Sequence, residues 1–124
     1  MLPEGEERVY APGEVIASSG QEASSVYILL DGAARVVYPV GTAPVPSWAV
    51  VDIIGAGRLF GLVPALDGEP HVGQLEAITS ARVVSVSRQA FLDELQAHPE
   101  VATNLLAQFA AYVRKTERWL VSTN

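Results

Sequence analysis

The chain has 124 residues, about half of them apolar, with 14 acidic against 8 basic side chains for a formal charge of -6, and no cysteine. That length suffices for one domain with a real core, and the apolar content excludes disordered and collagen-like classes. The acidic balance opposes direct nucleic-acid binding by this chain, and without cysteine there are no disulfides, thiolate nucleophiles, cysteine-ligated zinc sites or iron–sulfur clusters.

The first segment, Met1 to Glu7, is acidic and lacks the basic flank and apolar run of a secretory signal. Gly, Pro or charge interrupts every later apolar run well short of the roughly 18 residues that cross a membrane, so a cytoplasmic address is expected. From Val9 to Ser87 the chain reads as short β-branched runs: Val9 to Ala11, Glu14 to Ala17, Val26 to Leu30, Ala33 to Val40, Trp48 to Ile54, Gln74 to Ile78 and Arg82 to Ser87. Turn residues separate them at Pro12-Gly13, Ser19-Gly20, Asp31-Gly32, Gly55-Ala56-Gly57 and Asp67-Gly68, and Asp-Gly between apolar runs is a good hairpin signal. Many short strands at close spacing predict a sandwich or a barrel. Gly41 to Ser47, with two prolines, reads as a loop joining strands.

After Ser87 the period changes. Ala90, Phe91, Glu94 and Leu95 fit a short helix near residues 89–97, which Pro99 interrupts. A longer helix runs from Pro99 to about Val121, with Glu100 near its positive end and Arg114, Lys115 and Arg118 toward its negative end. This divides the chain into a β domain over residues 1–98, including the short helix, and a terminal helix over 99–124. Along that helix Ala102, Leu106, Phe109, Val113, Thr116 and Leu120 recur at alternating spacings of four and three, the seam of a helix that packs on another. Leu105, Tyr112 and Trp119 widen the stripe beyond what one contact needs. A homodimer through Leu106, Phe109, Val113, Thr116 and Leu120 is therefore expected, the alternative being a helix that only covers its own β domain.

Read together, Ala11 to Ile16 (APGEVI), Val26 to Val36 (VYILLDGAARV) and Gly57 to Gly61 (GRLFG) resemble the cyclic-nucleotide-binding domain family. The likeness continues through Phe60 to Gly73, which is similar to that family's phosphate-binding cassette, and on to Ala77 and Phe91. The resemblance implies a mainly β fold: a jelly-roll β-barrel, or double-stranded β-helix, with a short helix in the cassette and C-terminal α-helices. It also implies the sensor half of a transcription regulator of the catabolite-activator or fumarate-nitrate-reductase type, whose terminal helix dimerises. Gly32 and Gly61 fall where a positive φ or a close backbone approach is plausible.

In the family a cyclic phosphate sits on backbone amides at the start of the cassette helix, and an arginine neutralises it. A glutamate after Phe-Gly accepts from the ribose hydroxyl, and a small residue follows the arginine. The matching positions here are Leu62 for the glutamate, His71 for the arginine and Val72 for the small residue, while Pro64 falls where an amide would point at the phosphate. Leucine has no acceptor, neutral histidine lacks the charge and fork of guanidinium, and proline has no N–H. Tight cyclic-nucleotide binding is therefore not expected. The candidate pocket residues are Phe60, Gly61, Leu62, Val63, Pro64, His71 and Val72. His71 is expected as a surface or hydrogen-bonded turn residue, or else as a protonated ring beside Asp67 or Glu69. The pocket is expected either to be filled by Leu62 and Val72 or to hold a less charged small molecule.

Other constellations are weaker. A cupin-like metal enzyme shares the jelly-roll shape but needs clustered histidines, and His71 and His98 are the only two and lie far apart. His98 as a haem ligand loses to its position immediately before Pro99, where it reads as a helix-start residue. The scattered serines have no histidine and carboxylate around them. Trp48 and Trp119 are better read as core or interface anchors than as purine platforms, and Arg82 and Arg88 as solvated residues. No catalytic residue, metal site or cofactor is implied, and the expectation is a regulatory module rather than an enzyme. An altered-ligand sensor is the second hypothesis. No helix-turn-helix pattern follows Leu120, so the chain is expected to be either the sensor half of a longer regulator or a stand-alone protein.

Overall fold

A computed structural model describes residues 5–22, 24–41 and 47–122. The chain divides into two compact units, Met1–Phe91 and Leu92–Asn124. In the first, β1 (Glu6–Tyr10), β2 (Val15–Ala17), β3 (Ser25–Asp31), β4 (Ala34–Val40), β5 (Ser47–Ile54) and β6 (Leu59–Phe60) lead to a short helix α1 (Leu62–Asp67). β7 (Gln74–Ala77) and β8 (Ala81–Ser87) follow, and then α2 (Arg88–Ala97), which begins in this unit. Two four-stranded sheets result, ordered β1-β8-β3-β6 and β2-β7-β4-β5, with every pairing antiparallel.

The expected jelly roll is thus present as two facing-type sheets, and among the described residues they do not close into a barrel. The core is the apolar set that alternation along the strands turns to one side. It comprises Tyr10, Ile16, Ala17, Tyr27, Leu29, Ala34, Val36, Ile54, Leu75, Ala77, Ala81 and Val83, with Phe60 packed against it. The central strands β3 and β8 also bury Val26, Val84 and Val86, so they read as nearly continuous apolar runs instead of alternating ones.

The Asp31-Gly32 signal forms the tight β3–β4 connection. Gly32 has φ 89° and Asp31 Oδ1 accepts its N–H at 3.0 Å. Two elements differ from expectation. β1 starts at Glu6, because residues 6–10 pair in register with Ser85 to Ala81 of β8, and ladder hydrogen bonds extend the strand through the exposed Glu6, Glu7 and Arg8. β6, two residues long, was not expected. It is too short to carry a period, yet it pairs Phe60 with Tyr27. Of the expected loop Gly41 to Ser47, residues 42–46 lie outside the described residues. β5 is the edge of its sheet and leaves Trp48, Val50, Val51 and Ile53 exposed.

α2 starts on Ser87, whose Oγ accepts the Ala90 N–H at 3.1 Å, as an N-cap serine does. Beyond it, α3 (Pro99–Ser122) has proline at its first position and Glu100 in its first turn. His98 lies within 3.5 Å of Glu94 and 3.3 Å of Glu100, in keeping with a helix-junction role. On α3, Leu106, Phe109, Val113 and Leu120 are exposed, and Thr116 Oγ1 donates to the Tyr112 carbonyl at 3.1 Å. Among the described residues no helix is long and apolar enough to cross a membrane.

Candidate functional site

The cassette runs from β6 through α1 to β7. Gly61 enters α1 with φ 98°, and a methyl group built on it would stand 3.1 Å from His71 Cε1. The position is closed to side chains twice over, by backbone conformation and by the imidazole beneath it. α1 closes its turns with Ala65 N–H to Gly61 O at 3.0 Å and Gly68 N–H to Pro64 O at 2.8 Å. Pro64 lies in the first turn of the helix, where its missing N–H costs no intrahelical bond.

His71 is 2% exposed and is the buried polar side chain among the described residues. Its main chain is fastened on both sides: its N–H donates to Gln21 O at 3.0 Å, and its carbonyl accepts from Gly20 N–H at 2.6 Å. Gln21 in turn accepts from Ser18 N–H at 2.9 Å and donates through Nε2 to the Tyr27 hydroxyl at 3.0 Å. Ser19 Oγ donates to the Val72 carbonyl at 2.7 Å. The ring stacks on Phe60, with centroids 5.3 Å apart and planes 14° apart, and meets Tyr27 at 6.2 Å in a tilted contact. Neither ring nitrogen has a hydrogen-bond partner.

These facts correct the expected surface or turn role of His71, and also its expected protonation. Burial holds the imidazole below the usual histidine pKa. Asp67 uses Oδ1 to accept the Glu69 N–H at 2.9 Å, and Asp67 and Glu69 are both exposed. The expected filling of the pocket by Val72 is also corrected, since Val72 is 63% exposed. Thus Phe60, Gly61 and His71 are brought together. Leu62 and Pro64 are half-buried on α1, and Val63 and Val72 face outward.

Sequence reasoning missed three contributors. Tyr27 reaches the cassette because β3 pairs with β6, and Gln21 reaches it across a turn. Arg88, expected as a solvated residue, is instead part-buried, and its Nε donates to the Ala65 carbonyl of α1 at 2.6 Å. It satisfies a carbonyl that the short helix leaves orphaned and ties α1 to the start of α2. Arg82 matches its solvated reading, lying 3.3 Å from Glu7. Elsewhere in this unit a cleft of about 560 Å³ is lined by Tyr10, Ile16, Tyr27, Val83 and Ser85 together with residues 6–8. None of the candidate pocket residues lines it. Among the described residues, no group of three or more His, Cys, Asp or Glu side chains could hold a metal ion.

Chemically, the cassette presents at position 71 a flat ring pressed on an aromatic one. That ring offers a phosphate no positive charge, and burying an anion without a charge partner costs several kcal/mol.

The family model of the cyclic nucleotide-binding domain matches residues 7–98. Two proteins of Mycobacterium tuberculosis are similar in sequence. The CRP-like cAMP-activated global transcriptional regulator is 26% identical over 104 residues, which is 84% of this chain and 45% of that protein. The HTH-type transcriptional regulator Cmr is 34% identical over 104 residues, 84% of this chain and 41% of that protein. The crystal structure of Thermus thermophilus catabolite activator protein superposes with a TM-score of 0.80 at 24% identity, covering 94% of this chain and 53% of that one. The chain spans less than half the length of these curated relatives.

Proposed function

The chain belongs to the cyclic nucleotide-binding domain family, and from that membership we propose that it is a non-catalytic, cytoplasmic regulatory module whose cassette does not bind cyclic nucleotide tightly. Its sequence resembles the sensor domain of CRP-like transcription regulators, which supports a role in signal transduction. One observation carries the reading: His71, where the resemblance puts the phosphate-neutralising arginine, is a buried neutral ring stacked on Phe60. Leu62, in the glutamate's place, offers a ribose hydroxyl no acceptor. The test is calorimetric titration of the chain with cyclic AMP and cyclic GMP at neutral pH. No binding heat is expected up to millimolar nucleotide, and a micromolar Kd for either overturns the reading.

The module works as a homodimer through α3 in this proposal. Leu106, Phe109 and Val113 are exposed at the four-and-three spacing that packs one helix on another. Light scattering at tens of micromolar is expected to give twice the monomer mass. Phe109→Glu, which puts a charge in the seam, is expected to return the protein to monomer with its fold intact by circular dichroism. A wild-type monomer at that concentration overturns the assignment.

A further inference from the structure

We propose that His71 is a proton-operated latch on the cassette: neutral, it is the packing that holds Phe60, Gly61 and α1 together, and on protonation the ring leaves its place and frees them. The inference goes beyond nucleotide binding and does not rest on it. Its basis is the geometry of one side chain. The ring is 2% exposed, both of its nitrogens lack partners, and it clusters with Phe60 and Tyr27, which also meet each other, beneath Gly61. A buried polar group without partners sits at a cost that only its packing offsets. A buried charge without partners has no such offset.

What faces the ring decides whether the protonated form could find relief in place. From β3 comes the Tyr27 phenol, whose oxygen is engaged by Gln21 Nε2 at 3.0 Å. From β6 comes Phe60, and from the start of α1 comes Gly61, neither of which is titratable. The turn that fastens its main chain, residues 18–21, is Ser-Ser-Gly-Gln, and Glu22, which follows it, is exposed and makes no ion pair with His71. In the cassette itself, Asp67 and Glu69 are exposed and make no ion pair with His71. Among the described residues, no carboxylate pairs with either ring nitrogen of His71. The main chain of His71 is held by Gln21 and Gly20, so protonation acts on the ring and on what rests against it.

The release has a route onward. α1 is tied through the Ala65 carbonyl to Arg88, the first residue of α2, at 2.6 Å. A cassette that opens with acid therefore loosens the Ala65–Arg88 hydrogen bond at the first residue of α2.

The sign follows from the lowered native pKa. An unfolded or opened chain takes up a proton near pH 6.5 while the closed state does not. The latch is therefore at full strength above that pH and weakens as pH falls below it, by up to about tenfold in the closing equilibrium per pH unit. The experiment is amide hydrogen exchange on the whole chain, without nucleotide, corrected for intrinsic rates at pH 7.5 and pH 5.0. Peptides covering residues 60–73 are expected to lose protection at pH 5.0, by up to about thirtyfold, while those covering β4 hold theirs. In His71→Phe, whose ring keeps the stack but has no proton to gain, that loss is expected to vanish. Equal cassette protection of the wild type at the two pH values, or the same loss in His71→Phe, overturns the proposal. Should the phenylalanine variant not fold, the wild-type His71 Cε1 proton titrated by NMR decides it: a midpoint below 6.5 is expected, and one at or above 6.5 overturns the latch.

Discussion

Combining Leu62→Glu, Pro64→Ala, His71→Arg and Val72→Ser is expected to confer micromolar cyclic AMP binding on a chain that gives no heat at millimolar nucleotide, a gain of about a thousandfold, or about 4 kcal/mol. The parts account for that size. A guanidinium on a phosphate forms a bidentate, charge-assisted contact, and hydrogen bonds to charged groups are worth about 1.5–3 kcal/mol each. The glutamate adds a second such bond, to the ribose hydroxyl, and alanine at position 64 returns an N–H to the cassette. The new arginine starts from beneath Gly61, at the entry to α1, and the bound phosphate supplies the partner that its charge needs. Removing the imidazole also deletes two unpartnered buried nitrogens, so the exchange is not made against a satisfied site. Calorimetry of the quadruple variant beside His71→Arg alone is the measurement. The single variant is expected to gain only part of the affinity. A quadruple variant that stays silent would mean that the missing side chains are not the reason for silence.

Gly32→Ala is expected to cost about 3 kcal/mol or more and to lower Tm by about 10 °C, against about 1 kcal/mol for Gly13→Ala. Both glycines have a positive φ, 89° and 85°, so both substitutions carry the left-handed penalty of about 1–2 kcal/mol. They differ in surroundings. A methyl group on Gly13 meets nothing within 4 Å, while one on Gly32 overlaps the Ser80 carbonyl and stands 3.0 Å from Ala81 Cα, both backbone atoms that cannot swing aside. Ala81 is itself 1% exposed and begins β8, so the overlap is transmitted to a central strand. Thermal unfolding of the two variants separates strain from collision. Equal losses would show that the β3–β4 turn gives way without cost.

The strands were legible because alternation of β-branched residues reports burial locally, and because Asp-Gly and Pro-Gly pairs mark where direction reverses. β3, β4, β5, β7 and β8 fall within a residue or so of their sequence-based bounds, and α3 ends one residue past its own. Glu6 to Arg8 were not legible, since only their pairing with β8 makes them a strand. The candidate site was legible as a list of positions, through the likeness of its cassette, but not as an arrangement. Whether His71 points into the roll or out of it depends on contacts with Phe60 and Tyr27, which lie on two other strands, and no pattern near residue 71 records them. Val72, expected inside, lies outside, in the bend that precedes β7, where no strand period records which side chain is buried. Arg88 escaped notice because its partner is a main-chain carbonyl, which carries no side-chain identity.

The exposed edge of the second sheet bears on how the protein behaves in concentrated solution. Among the described residues, β5 offers eight residues of strand with one rim of main-chain groups unused by β4, and its Trp48, Val50, Val51 and Ile53 are open to solvent. Such an edge is a template for adding strands from other molecules. Asp52 is the only charge within it and is shared with Arg58 at 3.7 Å. Colloidal stability therefore falls to the charge of the whole molecule, -6 at neutral pH, which keeps copies apart by repulsion. As the solution approaches the isoelectric point, near 4.7, that repulsion fades and the bare edge sets the solubility.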